Sequence, residues 1–303
     1  MEPVSVIIPS HNRADLLAGA LASVLGQEYP RFELIVVDDG STDHTRQVVA
    51  AAERHWFENG GEPGALRYFF QPNRGPAAAR NLGIRQARYD LLAFLDSDDR
   101  FLPGKLTRQA AAMAERPEFL LSHTEEIWWR NGCRLNQKRR HRKEGGDIFA
   151  RSLELCVVGM STVMLRRRLL AEIGFFDESL PCCEDYDLWL RLSARRPVLF
   201  VDQPLTEKHG GRPDQVSVRF RVGMDRFRIA ALGKLLQGGI LTLEQAELAR
   251  RQLVRKCLIY GQGCLKHGRP AEGRKYLALA ATHAPKLTRP YEPARAALAG
   301  ETS

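Results

Sequence analysis

The sequence predicts an α/β fold in which a mostly parallel sheet is flanked by helices. In the first third of the chain, short apolar segments alternate with segments whose apolar residues recur at helical spacing. Unbroken apolar segments are typical of strands that are buried on both faces, as in parallel sheets. Each of these segments also ends in polar or acidic residues. Because ligands bind beyond the carboxyl ends of strands in open α/β sheets, the pattern predicts a ligand site at that edge.

The composition is that of a globular protein, and the length of 303 residues allows one large domain or two. Apolar residues make up 44% of the chain and charged residues 27%. No apolar stretch has the length of a transmembrane helix, and the N-terminus lacks the basic segment of a signal peptide. Six cysteines without a CxxC pair favour reduced thiols over a disulfide framework or a zinc site. These features predict a soluble, cytoplasmic protein.

Strands and helices are predicted in strict alternation over the first part of the chain. The strands lie at residues 4–9, 32–37, 66–70 and 91–95, and the helices lie at residues 16–24 and 42–57, with a third opening within 73–81. Right-handed crossover connections place the carboxyl ends of parallel strands at the same edge of a sheet. Pro9, Asp39, Asn73 and the acidic residues 96–99 are therefore expected to meet at one rim.

Three carboxylates, Asp96, Asp98 and Asp99, directly follow the fourth strand. Like charges at the edge of a core cost free energy unless a cation or several hydrogen-bond donors compensate them. Mg²⁺ and Mn²⁺ prefer carboxylate oxygens and often bridge to phosphates. The alternative is an acidic turn that caps a helix starting near Pro103. Neither GxGxxG after the first strand nor GxxxxGK[ST] is present, so a nucleotide at this rim would be bound through acids and a metal.

The second part of the chain is less regular. We expect a helix from Pro103, a strand pair turning at Asn131-Gly132, a short helix over 147–156, a strand over 161–165, a turn at 173–176 and a helix over 184–192. Asp185 and Trp189 share a face of this last helix, so Asp185 is a candidate general base that points toward buried surroundings. The alternative is that acids in a first helical turn interact favourably with the helix dipole.

A predicted strand over 198–201 is followed by a loop over 207–211 that contains His209. The glycine pair in this loop permits a mobile lid, and His209 is either a surface histidine or a further metal ligand. From about residue 214 the sequence becomes helical and basic, with a capping box at Thr242 and Gln245. We therefore expect a catalytic domain at 1–215 and a helical extension at 216–303 that contains one tetratricopeptide-like helix pair.

The net charge is +9, and residues 138–143 form a continuous basic run. Such a run is either a solvated loop or a surface that meets anionic lipid or a phosphorylated acceptor. Nucleic acid is not an expected partner, because no recognition motif accompanies the charge.

Taken together, five segments resemble the family 2 glycosyltransferases, which have the GT-A fold, a Rossmann-like variant of the α/β architecture. They occur in family order, over about two thirds of the chain, and lie at residues 4–13, 33–43, 73–84, 94–99 and 184–192. The QxxRW element and the membrane helices of processive relatives are missing. The resemblance therefore implies a bacterial-type enzyme that adds a single sugar, inverts the anomeric centre and uses Mn²⁺ or Mg²⁺ as its cofactor.

The resemblance also implies a role for each candidate residue. Asp185 matches the catalytic base, and Asp39 matches the aspartate that contacts the nucleotide base. Asp98 is the preferred metal ligand, with Asp99 as the alternative and His209 as a looser match. The residues that match the pocket for the nucleotide sugar are Pro9, Asn12, Asp39, Asn73, Arg80 and Asp96. The implied donor is a nucleoside-diphosphate sugar, with a UDP-sugar preferred, and the implied acceptor is a glycan or glycolipid of the cell envelope, reached from the inner face of the membrane.

Two other functions remain open from the sequence. A sugar nucleotidyltransferase shares an acidic rim of this kind, but it usually opens with a glycine-rich loop where this chain reads PSHNR. A catalytically degenerate GT-A protein could act as a partner-binding module through its helical extension, although such a module has no need of Asp39, Asp98 and Asp185 together.

Overall fold

The computed structural model describes residues 1–286, so the part of the predicted extension from residue 287 onward lies outside the described residues. The chain divides into two compact units. The first comprises Met1–Val222, and the second begins at Gly223. Among the described residues, no helix is both long enough and apolar enough to cross a membrane.

The first unit is built on a mixed sheet of nine strands. The strands are β1 (Val4–Ser10), β2 (Phe32–Asp39), β3 (Leu66–Gln71), β4 (Leu91–Phe94), β5 (Arg100–Phe101), β6 (Leu121–Arg130), β7 (Cys133–Leu135), β8 (Met164–Arg166) and β9 (Leu199–Gly210). Their order is β3-β2-β1-β4-β8-β6-β9-β5, and β7 pairs with β6. The first four strands in this order are mutually parallel, as the sequence predicts. Antiparallel pairs join β8 to both β4 and β6.

Eight helices accompany the sheet within the first unit. They are α1 (Ala14–Leu25), α2 (Thr45–Glu58), α3 (Pro76–Gln86), α4 (Lys105–Glu115), α5 (Phe149–Glu154), α6 (Arg167–Ile173), α7 (Glu184–Ser193) and α8 (Val216–Arg219). The sheet separates two apolar clusters, because successive side chains of a strand point to opposite faces. Ile7 of β1 packs with Phe94 and Trp189 in one cluster. Ile8 packs with Leu17 and Leu21 of α1 in the other.

Helix α3 packs closely against the sheet at Gly83, where a side chain would prevent so close an approach. A Cβ atom added to Gly83 would lie 2.4 Å from Cγ2 of Ile7, so glycine is required at this point. The close approach fixes α3 over the ends of β1 and β2, and with it the position of Arg80 at the rim of the sheet.

Three details of the second part of the chain differ from the sequence prediction. Residues 207–210 belong to β9, which pairs in parallel with β6 and extends well past the predicted strand at 198–201. The polar sequence of this strand concealed it, because one side of the strand is only partly covered. Helix α6 precedes the expected turn at 173–176, and the predicted strand at 161–165 is a 3₁₀ turn, Met160–Thr162, followed by β8.

The second unit contains the helices α9 (Met224–Gln237), α10 (Leu243–Lys266) and α11 (Pro270–His283). The capping box at the start of α10 is confirmed, with the Gln245 amide donating to the Thr242 hydroxyl and the Gln245 side chain accepting from the Thr242 amide. Helices α10 and α11 meet at Gly261 and Gly273. A Cβ at Gly273 would lie 2.8 Å from the carbonyl oxygen of Gly261, which explains the small residues at this crossing.

Candidate active site

The carboxyl ends of β1, β2 and β3 meet at one rim, as the sequence predicts. The carbonyl oxygen of Asp39 lies 2.8 Å from Nδ1 of His11, and Nδ2 of Asn73 lies 3.1 Å from both ring nitrogens of His11. Gly40 has a φ of +77°, and a Cβ there would lie 2.7 Å from the amide nitrogen of Asn73. Glycine thus permits the close approach of two strand ends. Sequence reasoning did not single out His11, although it lies within the matched segment.

The side chain of Asp39 is buried and held by three donors. Oδ1 accepts hydrogen bonds from the Gln71 side chain at 2.7 Å and the Arg74 amide at 2.9 Å, and Oδ2 accepts one from the Gly75 amide at 2.8 Å. A carboxylate held by three donors keeps one orientation at the end of β2.

Pro9 and Asn12 mark the end of β1 in different ways. Pro9 is half-buried in the strand and lies opposite Val37 of β2. Asn12 has a φ of 50° and connects β1 to the segment after β2. Its amide donates to the Ser41 hydroxyl at 2.9 Å, and its Oδ1 accepts from the Thr42 amide at 2.8 Å. The Asn12 carboxamide oxygen therefore shapes the rim.

The acidic residues after β4 form a cluster, in which Asp96, Asp98 and Asp99 each place a carboxylate oxygen within 4.8 Å of the others. Asp99 is buried and accepts hydrogen bonds from the Ser161 hydroxyl at 2.6 Å and the His209 amide at 2.9 Å. Burial, together with the charges of Asp98 and Asp96, raises the pKa of Asp99 well above its ordinary value. Asp98 is more accessible, and its carboxylate pairs with Arg212, which follows β9.

This donor set fits a divalent cation. Three hard oxygen ligands converge, and burial beside the charges of Asp98 and Asp96 raises the pKa of Asp99. The ring of His209 is placed differently. It stacks on Trp129 with centroids 6.3 Å apart, and its Nε2 lies 3.6 Å from a carboxylate oxygen of Glu207. Among the described residues, the group of close ligand atoms does not include this ring, and His209 contacts the cluster through its backbone amide.

Arg80 connects the acidic cluster to helix α7. Its guanidinium is buried and donates to Asp96 at 2.8 Å and to Glu184 at 2.5 Å, and it lies 5.6 Å from the ring centroid of Phe176. Burial opposes the charge on Arg80, but Asp96 and Glu184 together raise its pKa above the ordinary value. The resemblance assigns Arg80 to the nucleotide pocket, which stays a prediction. In the structure, two of its nitrogens bridge the carboxylates of Asp96 and Glu184.

Helix α7 presents two acids side by side. Glu184 is buried, which raises its pKa, while Arg80 opposes that rise. Asp185 is half-buried, although it was expected to point toward buried surroundings with Trp189. Its Oδ1 accepts from the Tyr186 amide at 2.7 Å, and its Oδ2 lies 3.4 Å from Sγ of Cys156. Asp185 is therefore partly accessible to solvent, whereas its neighbour Glu184 is buried against Arg80.

The basic run at residues 138–143 is exposed only in part. Lys143 is buried, and its ammonium lies 3.2 Å from Oε1 of Glu126, so the expectation of a fully exposed run is wrong at this residue. Glu126 also accepts a hydrogen bond from the Trp128 indole at 2.8 Å. Although burial opposes its ionisation, the charge of Lys143 helps to lower the pKa of Glu126 to about 2. The exposed cations of the run are Lys138, Arg139, Arg140 and Arg142.

The family model described as "Glycosyl transferase family 2" matches residues 5–174, which is more than half of the chain.

The chain belongs to glycosyl transferase family 2.

Within this family, an uncharacterized glycosyltransferase of Rickettsia felis is 34% identical over 210 residues, covering 67% of this chain and 32% of that protein. The chain thus spans about a third of the length of that curated relative. A putative teichuronic acid biosynthesis glycosyltransferase of Bacillus subtilis, TuaG, is 32% identical over 62% of this chain and 71% of its own.

Solved structures confirm the predicted GT-A class of α/β fold for this family member. Residues 1–349 of S. aureus TarS, in complex with UDP-GlcNAc, match with a TM-score of 0.61 at 21% identity, over 93% of this chain and 92% of that one. The mannosyltransferase PcManGT from Pyrobaculum calidifontis, in complex with GDP-Man and Mn²⁺, matches with a TM-score of 0.61 at 20% identity, over 92% and 75%.

The bridge made by Arg80 can be tested through stability. Arg80→Met keeps most of the side-chain volume but leaves Glu184 and Asp96 without their cation, and removing one partner of a buried ion pair costs about 3 to 5 kcal/mol. We expect a loss near the lower end of this range, because Asp96 is 34% exposed. Urea denaturation monitored by tryptophan fluorescence measures it.

Arg74→Met is the matched control, because Arg74 pairs with Glu178 through a side chain that is 60% exposed. Exposed pairs contribute about 0 to 1 kcal/mol, so this change should leave the free energy of unfolding nearly unaltered. Equal losses in the two variants would contradict the assigned role of Arg80.

Proposed function

We propose that this protein transfers a sugar from a nucleoside-diphosphate sugar to an acceptor hydroxyl and inverts the anomeric centre. The observation that carries the proposal is the bridge from Asp96 through Arg80 to Glu184, which brings the acidic cluster and the accessible Asp185 to one rim. The fixed carboxylate of Asp39 lies at the other end of that rim. In this proposal the nucleotide lies at the end of β2, the cation lies after β4, and the base lies at the start of α7.

Asp98 and Asp99 would hold a divalent cation, Mn²⁺ or Mg²⁺. When bound there, the cation supplies Lewis-acid compensation for the charge of the departing diphosphate. The chain's own residues do the rest. Asp39 fixes the nucleotide base, with Asn73 and Pro9 beside it, and Asp96 meets the ribose on the side that Arg80 leaves open. Asp185 accepts the proton of the acceptor hydroxyl as its oxygen attacks the anomeric carbon from the opposite face.

The names of two relatives support a role in glycan synthesis, and we propose that the enzyme adds a single sugar to a glycan of the cell envelope. TuaG is named for teichuronic acid biosynthesis, and a similar protein of Rhizobium meliloti, ExoU, is named for succinoglycan biosynthesis. Of the two structural neighbours, one holds UDP-GlcNAc and the other GDP-Man, and we prefer a UDP-sugar as the donor. We place the reaction at the inner face of the cytoplasmic membrane, with a glycan or glycolipid as acceptor.

Donor binding can be measured without knowing the acceptor. Thermal stability is recorded against UDP, GDP, CDP and ADP, each with and without Mn²⁺. A ligand at a hundredfold excess over its dissociation constant stabilises a protein by about 2.7 kcal/mol. We expect one nucleotide, UDP in the first place, to increase the thermal stability in a metal-dependent way. Asp98→Ala should abolish this increase. Asp90→Ala, which removes an exposed acid near the opposite end of β4, should keep the increase. Stability that no nucleotide changes would favour the partner-binding alternative.

The role proposed for Asp185 predicts that its replacement slows the chemical step and leaves donor binding unchanged. Asp185→Asn keeps the shape of the side chain but removes the proton acceptor, and positioned general-base catalysis contributes about 10² to 10⁴-fold. We expect turnover to fall by that factor. Turnover is measured as nucleoside diphosphate released from the donor in the presence of acceptor extracts. The change in thermal stability on addition of nucleotide and Mn²⁺ should be the same as in the wild type. Near-normal turnover would show that the base is another residue. Release of pyrophosphate from a nucleoside triphosphate and a sugar phosphate, measured separately, would indicate a nucleotidyltransferase.

The exposed part of the basic run is proposed to contact anionic lipid at the membrane surface. A basic residue near such a surface contributes about 1 kcal/mol, so replacing all four exposed cations of residues 138–142 by Gln should weaken binding to vesicles of phosphatidylglycerol at least tenfold. Co-sedimentation measures this, and sodium chloride should weaken the wild-type binding. The matched control neutralises four exposed arginines elsewhere, namely Arg46, Arg54, Arg116 and Arg195. Equal losses in both variants would indicate a general effect of net charge and contradict a specific surface.

A further inference from the structure

A thiol contacts the candidate base, and the function proposed above does not use it. Cys156 lies after helix α5 and is half-buried. Its Sγ is 3.4 Å from Oδ2 of Asp185 and 3.6 Å from the carbonyl oxygen of Val158. A cysteine S–H is a weak donor with a single proton, so it can serve only one of these acceptors fully. Oδ2 of Asp185 is the nearer of the two, and a carboxylate is a stronger acceptor than a backbone carbonyl.

The surroundings of Cys156 hold this arrangement in place. The carbonyl of Val158 also accepts a hydrogen bond from the Trp189 indole at 3.0 Å, and Trp189 lies one turn along α7 from Asp185. The segment from Cys156 to Val158 is therefore connected to the same helix at two points. The Oδ1 atom of Asp185 is occupied by the Tyr186 amide, so the thiol is the contact that orients the second oxygen.

We propose that Cys156 is a positioning residue that orients Asp185 and stabilises its ionised form through an S–H to carboxylate hydrogen bond. The catalytic meaning of this inference rests on the function proposed for Asp185, whereas the hydrogen bond itself does not. When the acceptor's proton moves to Asp185, its carboxyl group becomes a weaker acceptor, and the S–H group can turn to the carbonyl of Val158. No covalent bond of Cys156 changes, and the proton remains on Asp185 until it leaves to solvent.

Charged groups from α3, β9 and α7 itself act on this pair. Arg80, on α3, and Glu184, next to Asp185 on α7, both interact electrostatically with Asp185. Lys208, on β9, interacts with Cys156. The ammonium of Lys208 favours a thiolate at Cys156, whereas the carboxylate of Asp185 opposes it. The reactivity of the thiol therefore depends on the charge at position 185.

The first test measures that reactivity and needs no substrate. Iodoacetamide is added to the whole protein between pH 7 and 9, and modification of each cysteine is followed by peptide mass spectrometry. In Asp185→Asn the carboxylate no longer opposes the thiolate, so alkylation of Cys156 at pH 8 should be faster by about threefold to tenfold. Cys133, which is exposed on β7, is the internal reference and should react at an unchanged rate.

The second test measures the pKa of Asp185 by NMR, from the side-chain carboxyl carbon of aspartate-labelled protein. The signal is assigned by its loss in Asp185→Asn. Cys156→Ala removes the donor and should raise the pKa of Asp185 by about half a unit, since one hydrogen bond to the charged form is lost. Cys156→Ser keeps a donor and should restore the wild-type value. Cys156→Val replaces Ala if the smaller side chain prevents folding, and Cys133→Ala is the matched control.

The outcomes separate this inference from the proposed function. An unchanged alkylation rate in Asp185→Asn, or the same Asp185 pKa in all Cys156 variants, would overturn the hydrogen bond. An equal pKa change in the Ala and Ser variants would indicate packing alone and would also overturn it. If the hydrogen bond is confirmed while Asp185→Asn retains turnover, Asp185 is not the general base. In that case Cys156 orients a residue that does not take part in proton transfer.

Discussion

The guanidinium of Arg80 lies between two carboxylates that come from opposite parts of the chain, Asp96 after β4 and Glu184 at the start of α7. Without a buried cation at this point, the first turn of α7 would bring two more acids, Glu184 and Asp185, toward a strand end that already carries three. Repulsion in an environment of low dielectric would push them apart or protonate them. The position of Asp185 relative to the acidic cluster thus depends on one side chain, which the close packing of Gly83 against β1 holds in place.

The rest of the site shows how the chain reduces the cost of concentrated negative charge. Asp39 receives two backbone amides and a side-chain amide, and Asp99 receives a hydroxyl and a backbone amide. Such donors stabilise a carboxylate without adding a mobile charge that would compete with a ligand. In the acidic cluster, arginines pair with the other two carboxylates, Arg80 with Asp96 and Arg212 with Asp98.

Much of this architecture could be predicted from the sequence, because the information was local. The apolar strands of the first half and their polar ends identified the rim, and the resemblance assigned residues to it. The features that the sequence did not predict depend on contacts between residues that lie far apart in the chain. Residues 207–210 form a strand because β6 is available beside them, which their polar sequence does not reveal. The bridge from Arg80 to Glu184 spans 104 residues of sequence, and neither partner carries a local signal of the other. Likewise, no pattern in the sequence indicates the contact between Cys156 and Asp185.

The buried pair of Lys143 and Glu126 has a consequence for the exposed cations that precede it. A basic segment fixed only at its distant ends samples many conformations, and each phosphate that it binds must restrict them. Here the last cation of the run is anchored beneath the surface, so a share of that conformational freedom is already lost when the protein folds. In the contact with anionic lipid proposed above, binding at the remaining cations would then lose less conformational entropy. The buried ion pair would thereby favour a contact that the same basic residues in a fully solvated segment would make less readily.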